Sequence, residues 1–165
     1  MQLPFQPDTM IKKSKEKIPA DSITVKTEVV CPNDANPMGM LQGGRLVEWM
    51  DIAAAVCAQT HAGKICVTAS INQVDFKQPA KTGDIITITA IITRAFNTSM
   101  EIFVQAFARK VLNEKKYQIS EAYFTFVALD AEGMVSPVQL LKPVSVLEKK
   151  RYAAAVKRKT AHKIK

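Results

Sequence analysis

The sequence predicts an α+β domain: a long antiparallel sheet curled around one central helix, with an extra basic helix at the C-terminus. Three observations carry that expectation. One interior segment, from 44 to about 61, places apolar residues at helical spacing; four later segments are dense in β-branched and aromatic residues; and the connections between those four are short and polar. A lone helix must bury its apolar stripe, and a long antiparallel sheet has one face to offer it. The sheet then keeps an open edge strand with unpaired N–H and C=O groups. Pairing that edge with a second copy of the chain, as one continuous sheet, is the expected remedy.

The elements follow in order. Residues 1 to 20 mix prolines with a lysine-rich run, show no periodicity, and read as a loose arm that can order on a neighbour. A first strand is expected at about 23 to 30, where Ile23, Val25, Thr27 and Val29 alternate with Thr24, Lys26 and Glu28. The next stretch holds two prolines, three glycines, Asn33, Asp34 and Asn36, and reads as a structured loop. On the helix, Leu46, Val47, Met50, Ala53, Ala54 and Cys57 form one face, and Gly63 closes it. The β segments lie at about 66–76, 84–96, 99–112 and 117–129, and an antiparallel meander is their natural packing. The last segment, 146–165, is helix-prone, with Leu147, Tyr152 and Val156 as anchors. This divides the chain into an arm (1–20), a domain (21–142) and a basic helix or tail (143–165).

Composition narrows the function. A chain of 165 residues with 47% hydrophobic content suits one domain with a real core. No window approaches the roughly 18 uncharged apolar residues of a membrane span. The N-terminus, with prolines first and lysines later, lacks the order of a signal peptide, so no membrane partner and a cytoplasmic location are expected. Cys31, Cys57 and Cys66 form no CxxC pair, and His61 and His162 belong to no HExxH, so neither a metal nor another cofactor is expected. His61 reads as a helix-end residue near the last carbonyls, and Trp49 as core or interface packing. The net charge of +8 sits entirely from Lys142 onward; residues 1 to 141 hold as many acids as bases. A neutral body argues against a nucleic-acid partner, and any anion is gripped mainly by the tail.

Asp51 needs explaining. It stands in mid-helix, in the run Trp49-Met50-Asp51-Ile52-Ala53, where aspartate is a poor helix former and lies about two turns from the N-terminus. Glu48, at i−3, lies near the same face. Like charge and desolvation both raise a carboxylate pKa toward the range of a general acid or base. A solvated residue on the outer face is the alternative. Gly43 and Gly44 stand where the helix begins, and its first N–H groups lack partners inside the helix. A carbonyl oxygen approaching Gly44 without a Cβ in the way would be polarised there, a donor effect worth roughly 3 to 4 kcal/mol of barrier. Tight packing or a plain turn would equally use two glycines. Donor and carboxylate cannot easily reach one carbonyl from a single helix; opposed helices of two subunits can.

The segment Asn36-Pro37-Met38-Gly39-Met40-Leu41-Gln42-Gly43-Gly44 resembles the N-x-x-G-x-x-[H/F/Q]-G-G loop of the hotdog-fold acyl-CoA thioesterases, and Asp51 stands nine residues after Gln42, where that family carries its catalytic acid. Val67-Thr68-Ala69-Ser70, Phe76-Lys77-Gln78-Pro79, Gly83-Asp84, Asn97-Thr98-Ser99-Met100 and the run from Phe124 to Asp130 extend the similarity over about residues 24 to 158. The branch it is most similar to is that of cytosolic and brown-fat-type acyl-CoA hydrolases and their bacterial relatives. The resemblance implies hydrolysis of an acyl-CoA thioester to a free acid and CoA. Asp51 would be base or nucleophile and Gly44 the carbonyl-polarising amide beside Gly43. Asn36 and Gln42 would shape the loop or hold water, and Glu48 is a weaker candidate acid. It implies no cofactor beyond CoA as part of the substrate, and a homodimer as the minimal unit, arranged as a trimer of dimers. For the CoA phosphates, Arg94, in the turn with Thr98 and Ser99, and Arg151, Lys157 and Arg158 of the tail are candidates, with solvated surface charge as the simpler reading of the tail residues.

Met40 departs from the family, several branches of which carry Asp or Asn at that point; a thioether cannot act as a base. That keeps open a non-catalytic acyl-CoA binder on the same scaffold. The basic tail keeps open a nucleic-acid binder, although the strands show no aromatic ladder. A hydratase lacks the Asp and His pair that chemistry uses.

Overall fold

A computed structural model describes residues 16 to 163 of the chain. Of the expected arm, residues 1 to 15 lie outside the described residues. Residues 16 to 20 are not loose: Lys17 bridges to Leu141, and a buried Pro19 opens a 3-10 turn, Pro19–Asp21.

Strand β1 (Thr24–Val29), helix α1 (Gly43–Ala62), strands β2 (Ile65–Phe76), β3 (Ile85–Ala95), β4 (Ser99–Arg109) and β5 (Tyr117–Leu129), and helix α2 (Val146–Lys163) follow along the chain. The five strands form one antiparallel sheet in the order β1-β3-β4-β5-β2. The meander expected of the last four strands therefore holds only for β3 to β5. Two residues, Gly63 and Lys64, separate α1 from β2, so β2 runs back along one flank of the helix and pairs with β5. Residues 77–84 then carry the chain across to β3. Gly63 closes α1 as its position predicts, at φ +63° with its N–H donating to the Gln59 carbonyl at 2.8 Å.

Helix α1 touches all five strands. Its buried stripe runs through Leu46, Met50, Ala53, Ala54, Cys57 and Ala58. Facing it are alternate residues of the central strands: Ile86, Ile88 and Ile92; Ile102 and Val104; Phe124 and Phe126. Each such side chain contributes about 1.5 to 3 kcal/mol by leaving water, and the alanines of the helix let it sit close to the sheet.

The opposite face of the sheet is partly covered by α2. In β1 the expected alternation is real, but its apolar side turns away from α1. The register sets Lys26 opposite Ile88 and Val25 opposite Thr89, so Lys26 and Glu28 pair on the helix side while Val25, at 61% exposure, and Val29 stand open on the outer face.

The expectation for His61 is corrected. Lys17, not His61, serves the helix end, its ammonium donating to the carbonyls of Thr60 and His61 at 2.9 and 2.8 Å. The His61 ring is fully buried, with Nε2 at 2.9 Å from the Gln139 carbonyl, which fixes the proton on Nε2. Burial pulls its pKa below the ordinary 6.5, the Gln139 carbonyl opposes this, and Lys17 adds to it. A base whose pKa is lowered on folding takes up protons more readily when unfolded, so stability falls as pH drops below 6.5 toward the lowered folded value. His61→Leu is expected to flatten that limb of a Tm-against-pH profile. A profile of unchanged slope between pH 7 and 5 would contradict the buried neutral ring.

Candidate active site

The site begins in the loop before α1. Asn36 organises it: Oδ1 accepts the N–H groups of Met38 and Met40 at 3.0 and 3.1 Å, while the main chain closes Asn36 N to Met40 O at 2.8 Å. Two converging donors require an oxygen there, which turns the Asn36 amide nitrogen, without an acceptor among the described residues, to the other side. Gln42 braces the loop from outside, donating to the Ala35 carbonyl at 3.1 Å. Buried Asp34 accepts the Cys31 N–H at 3.0 Å and the Arg45 Nε at 2.7 Å, tying the loop to the first turn of α1. The Arg45 hydrogen bond holds the Asp34 carboxyl below its usual range.

Because Gln42 makes no side-chain cap, the N–H groups of Gly43, Gly44 and Arg45 have no acceptor among the described residues. The two glycines differ. A Cβ on Gly43 would lie 3.2 Å from the ring of Phe76, so that glycine serves close packing; a Cβ on Gly44 would meet nothing within 4 Å. Gly44 is exposed, its amide has no acceptor among the described residues, and no side chain crowds its Cβ position. Next to it lies a cavity of about 350 Å³ lined by Asn36, Met40, Gly43, Phe76, Gln78 and Ile119 among others.

Two turns along α1, Asp51 is half-buried and its Oδ1 accepts the Thr68 hydroxyl from β2 at 2.8 Å. No partner holds the other carboxylate oxygen among the described residues. Glu48, the weaker candidate acid, shares no partner with Asp51. Glu48 is exposed and bridges to Arg45 Nη1 at 2.7 Å, because Arg45 at i−3 offers it a partner on the solvent side. Thr68 is the residue that spacing could not reveal: it is an ordinary strand threonine until the register brings it beside the helix. Around the pair, Ile52 and Val56 of α1 and Ile65, Val67 and Ile71 of β2 are exposed, with β2 at the free edge of the sheet.

The candidate phosphate-binding residues are scattered over the outer face, and most are engaged. Arg158 forks onto both oxygens of buried Glu101 at 2.8 and 2.7 Å and stacks on Tyr123 at 3.9 Å. Burial of an unpaired carboxylate would be costly, so Glu101 requires this partner. Arg94 donates to the Tyr152 carbonyl at 3.0 Å and lies over the Tyr152 ring, and Arg151 stacks on Phe103. Ser99 is buried and Thr98 half-buried, whereas Lys157 is exposed. None of them lines the cavity beside Gly43. Among the described residues no group of three His, Cys, Asp or Glu side chains could hold a metal, and no helix is long and apolar enough to cross a membrane.

A profile of the thioesterase superfamily matches residues 38–113. The chain is 36% identical to the cytosolic acyl coenzyme A thioester hydrolase of mouse over 75% of its own length and 33% of that protein. It spans about a fifth of the length of the mouse acyl-coenzyme A thioesterase 11, at 34% identity. Among solved structures, the acyl-CoA hydrolase of Staphylococcus aureus in complex with butyryl coenzyme A and coenzyme A superposes with a TM-score of 0.84 at 38% identity, covering 91% of this chain and 93% of that one. An apo-hexameric acyl-CoA thioesterase gives a TM-score of 0.87 at 34% identity, covering 90% and 96%. Alanine variants of the S. aureus enzyme have been solved at one asparagine, one aspartate and one threonine. The aspartate follows the asparagine by fifteen positions and the threonine follows the aspartate by seventeen, and Asn36, Asp51 and Thr68 repeat both intervals.

The engagement of Arg158 carries a stability prediction. Arg158→Ala strands Glu101 and is expected to lower unfolding free energy by about 2 kcal/mol, less than for a fully enclosed pair because the arginine is partly exposed. Denaturant titration checks it; an unshifted midpoint would mean that the pair is not what holds α2.

Proposed function

The chain belongs to the hotdog-fold thioesterase superfamily, alongside the acyl-CoA hydrolases, and from that premise we propose that it hydrolyses an acyl-CoA thioester to a free acid and CoA. The observation that carries the reading is that the chain holds both an unpartnered amide at exposed Gly44 and an Asp51 carboxylate oriented by Thr68. Water attacks the thioester carbon and gives its proton to the free oxygen of Asp51. The carbonyl oxygen, as it gains charge, rests on the Gly44 N–H and the positive end of α1. The carbon–sulfur bond then breaks and the thiolate takes up the proton, leaving acid and CoA.

Donor and acid come from different protomers in this proposal. The apolar rim of Ile65, Val67 and Ile71 on the free edge, with Ile52 and Val56, supports a dimer that continues the sheet through β2. The open apolar outer face of β1 supports further assembly, as a trimer of dimers. The reaction is proposed for the cytoplasm, with CoA entering as part of the substrate. Met40, which lines the cavity where a carboxylate or amide stands in several branches, favours a second reading, an acyl-CoA binder without turnover.

Asp51→Asn is expected to lower kcat for thiol release by roughly two to four orders of magnitude, and Thr68→Val by roughly tenfold, with circular dichroism unchanged. Colorimetric assay of free thiol over a panel of acyl-CoAs measures both. Undiminished turnover in Asp51→Asn would remove the carboxylate from the mechanism. Tight binding of acyl-CoA with no thiol from the wild type would favour the second reading.

A further inference from the structure

We infer that the β4–β5 turn docks the protein on an anionic lipid surface, its two apolar corner residues entering the headgroup layer and its lysines resting on the lipid phosphates. The inference goes beyond the hydrolase reading and stands without it.

The composition of the turn is unusual for a solvent-exposed one. The Asn113 N–H donates to the Lys110 carbonyl at 3.1 Å, which closes a four-residue turn with Val111 and Leu112 at its corners. Glycine, proline, asparagine, aspartate and serine dominate such corners, each for its backbone or its local hydrogen bonds, and valine and leucine offer neither advantage. Nor do these side chains fold back onto the sheet. Leu112 is 99% exposed, more than any other large apolar side chain among the described residues, and Val111 is 63% exposed. The Asn113 side chain accepts the Lys115 N–H at 2.9 Å, so the apolar tip stands on a hydrogen-bonded base.

Cations ring the tip. Arg109, Lys110, Lys115 and Lys116 all stand within four residues of Leu112, against one acid, Glu114. None of the four is ion-paired among the described residues, and residues 110 to 116 are all exposed. A protein partner would need a preformed pocket with an acidic rim to receive so convex a shape. A lipid surface yields to it, and sets an apolar phase directly beneath a layer of phosphates. Lysine suits that boundary, since its methylene stem can lie in the apolar layer while the ammonium reaches back to the headgroups. One leucine and one valine bury too few methylenes to anchor a protein alone, so the contact needs both the apolar tip and the charge, and it is reversible and sensitive to salt. The lack of a spanning window, which made a membrane partner unexpected, bears on crossing a bilayer and not on touching one.

The turn adjoins the cavity at the start of α1. Gln78 lines that cavity and also the hollow walled by Lys110, Lys115 and Tyr117. On the acyl-CoA reading, docking through the turn holds the cavity beside the phase into which long acyl groups partition.

The test mixes the full chain, without any ester, with vesicles of phosphatidylcholine alone or with about one quarter phosphatidylglycerol, and measures cosedimentation. Binding is expected to the anionic vesicles only, and to fall as salt is raised. Lys110→Ala joined with Lys115→Ala is expected to weaken it roughly twentyfold, about fivefold for each lysine, and Val111→Ser joined with Leu112→Ser roughly tenfold. Leu112→Trp reports the position of the tip: Trp49, the one tryptophan of the chain, is buried, so the added indole's emission is expected to shift to the blue on anionic vesicles and not with inorganic phosphate. A wild type that ignores anionic vesicles, binding indifferent to the serine pair, or Leu112→Trp emission that does not move on the vesicles would overturn the inference. A smaller oligomer for the serine pair in light scattering would give the tip to a second copy of the chain, with the same consequence. Because no turnover is read, failure here leaves the hydrolase reading untouched.

Discussion

The stiffness of α1 sets the terms for everything else. Gly44 and Asp51 sit seven residues apart on one continuous helix, about 10 Å along its axis at the usual rise. A single carbonyl carbon cannot lie in bonding range of a proton acceptor at one point and rest its oxygen on an amide at the other. Among the described residues the amide has no acceptor, and the carboxylate keeps one oxygen unbound beside an unfinished sheet edge. On the proposed mechanism, the protomer carries two halves of a reaction centre that a second copy would complete.

In the proposed dimer, the centre would be completed by the same feature that otherwise endangers the protein. β2 is a long strand at the edge of the sheet, flanked by exposed Ile65, Val67 and Ile71 and by Ile52 and Val56 of the helix. Such an edge invites promiscuous pairing unless a specific partner covers it. Pairing with a second copy would cover the apolar rim and carry the Asp51–Thr68 pair toward the other protomer's helix start. The loop that presents Gly44 is held independently, by Asn36 within it and by Asp34 and Arg45 across it, so its geometry does not wait on assembly.

Much of this was legible in the residues. Helical spacing located α1 and Gly63 ended it; density of β-branched residues located the strands to within a few positions; Asp51 stood out as a poor helix former in mid-helix, whereas Gly43 and Gly44 equally fitted tight packing or a plain turn. What stayed hidden depended on register and side-chain choice. The position of β2 next to β5 follows from a two-residue link that says nothing about which neighbour it selects, and without that placement Thr68 has no visible role. Periodicity put Glu48 near the face of Asp51 but could not show its partner, which is Arg45 on the same helix. The arginines of the C-terminal helix were read as free charge, whereas Glu101, an acid within a strand of mostly apolar residues, needed one of them. Charge counted along a sequence cannot distinguish a buried pair from a solvated one.

The proposed shared centre is most directly tested by mixing Asp51→Ala and Gly44→Leu, each expected to be inactive alone, under conditions that exchange subunits. A hybrid dimer would hold one site with both defects and one with neither, so random exchange is predicted to restore about a quarter of wild-type thiol release. Hybrids that form, as native mass spectrometry would establish, yet stay inactive would contradict a centre built from two protomers.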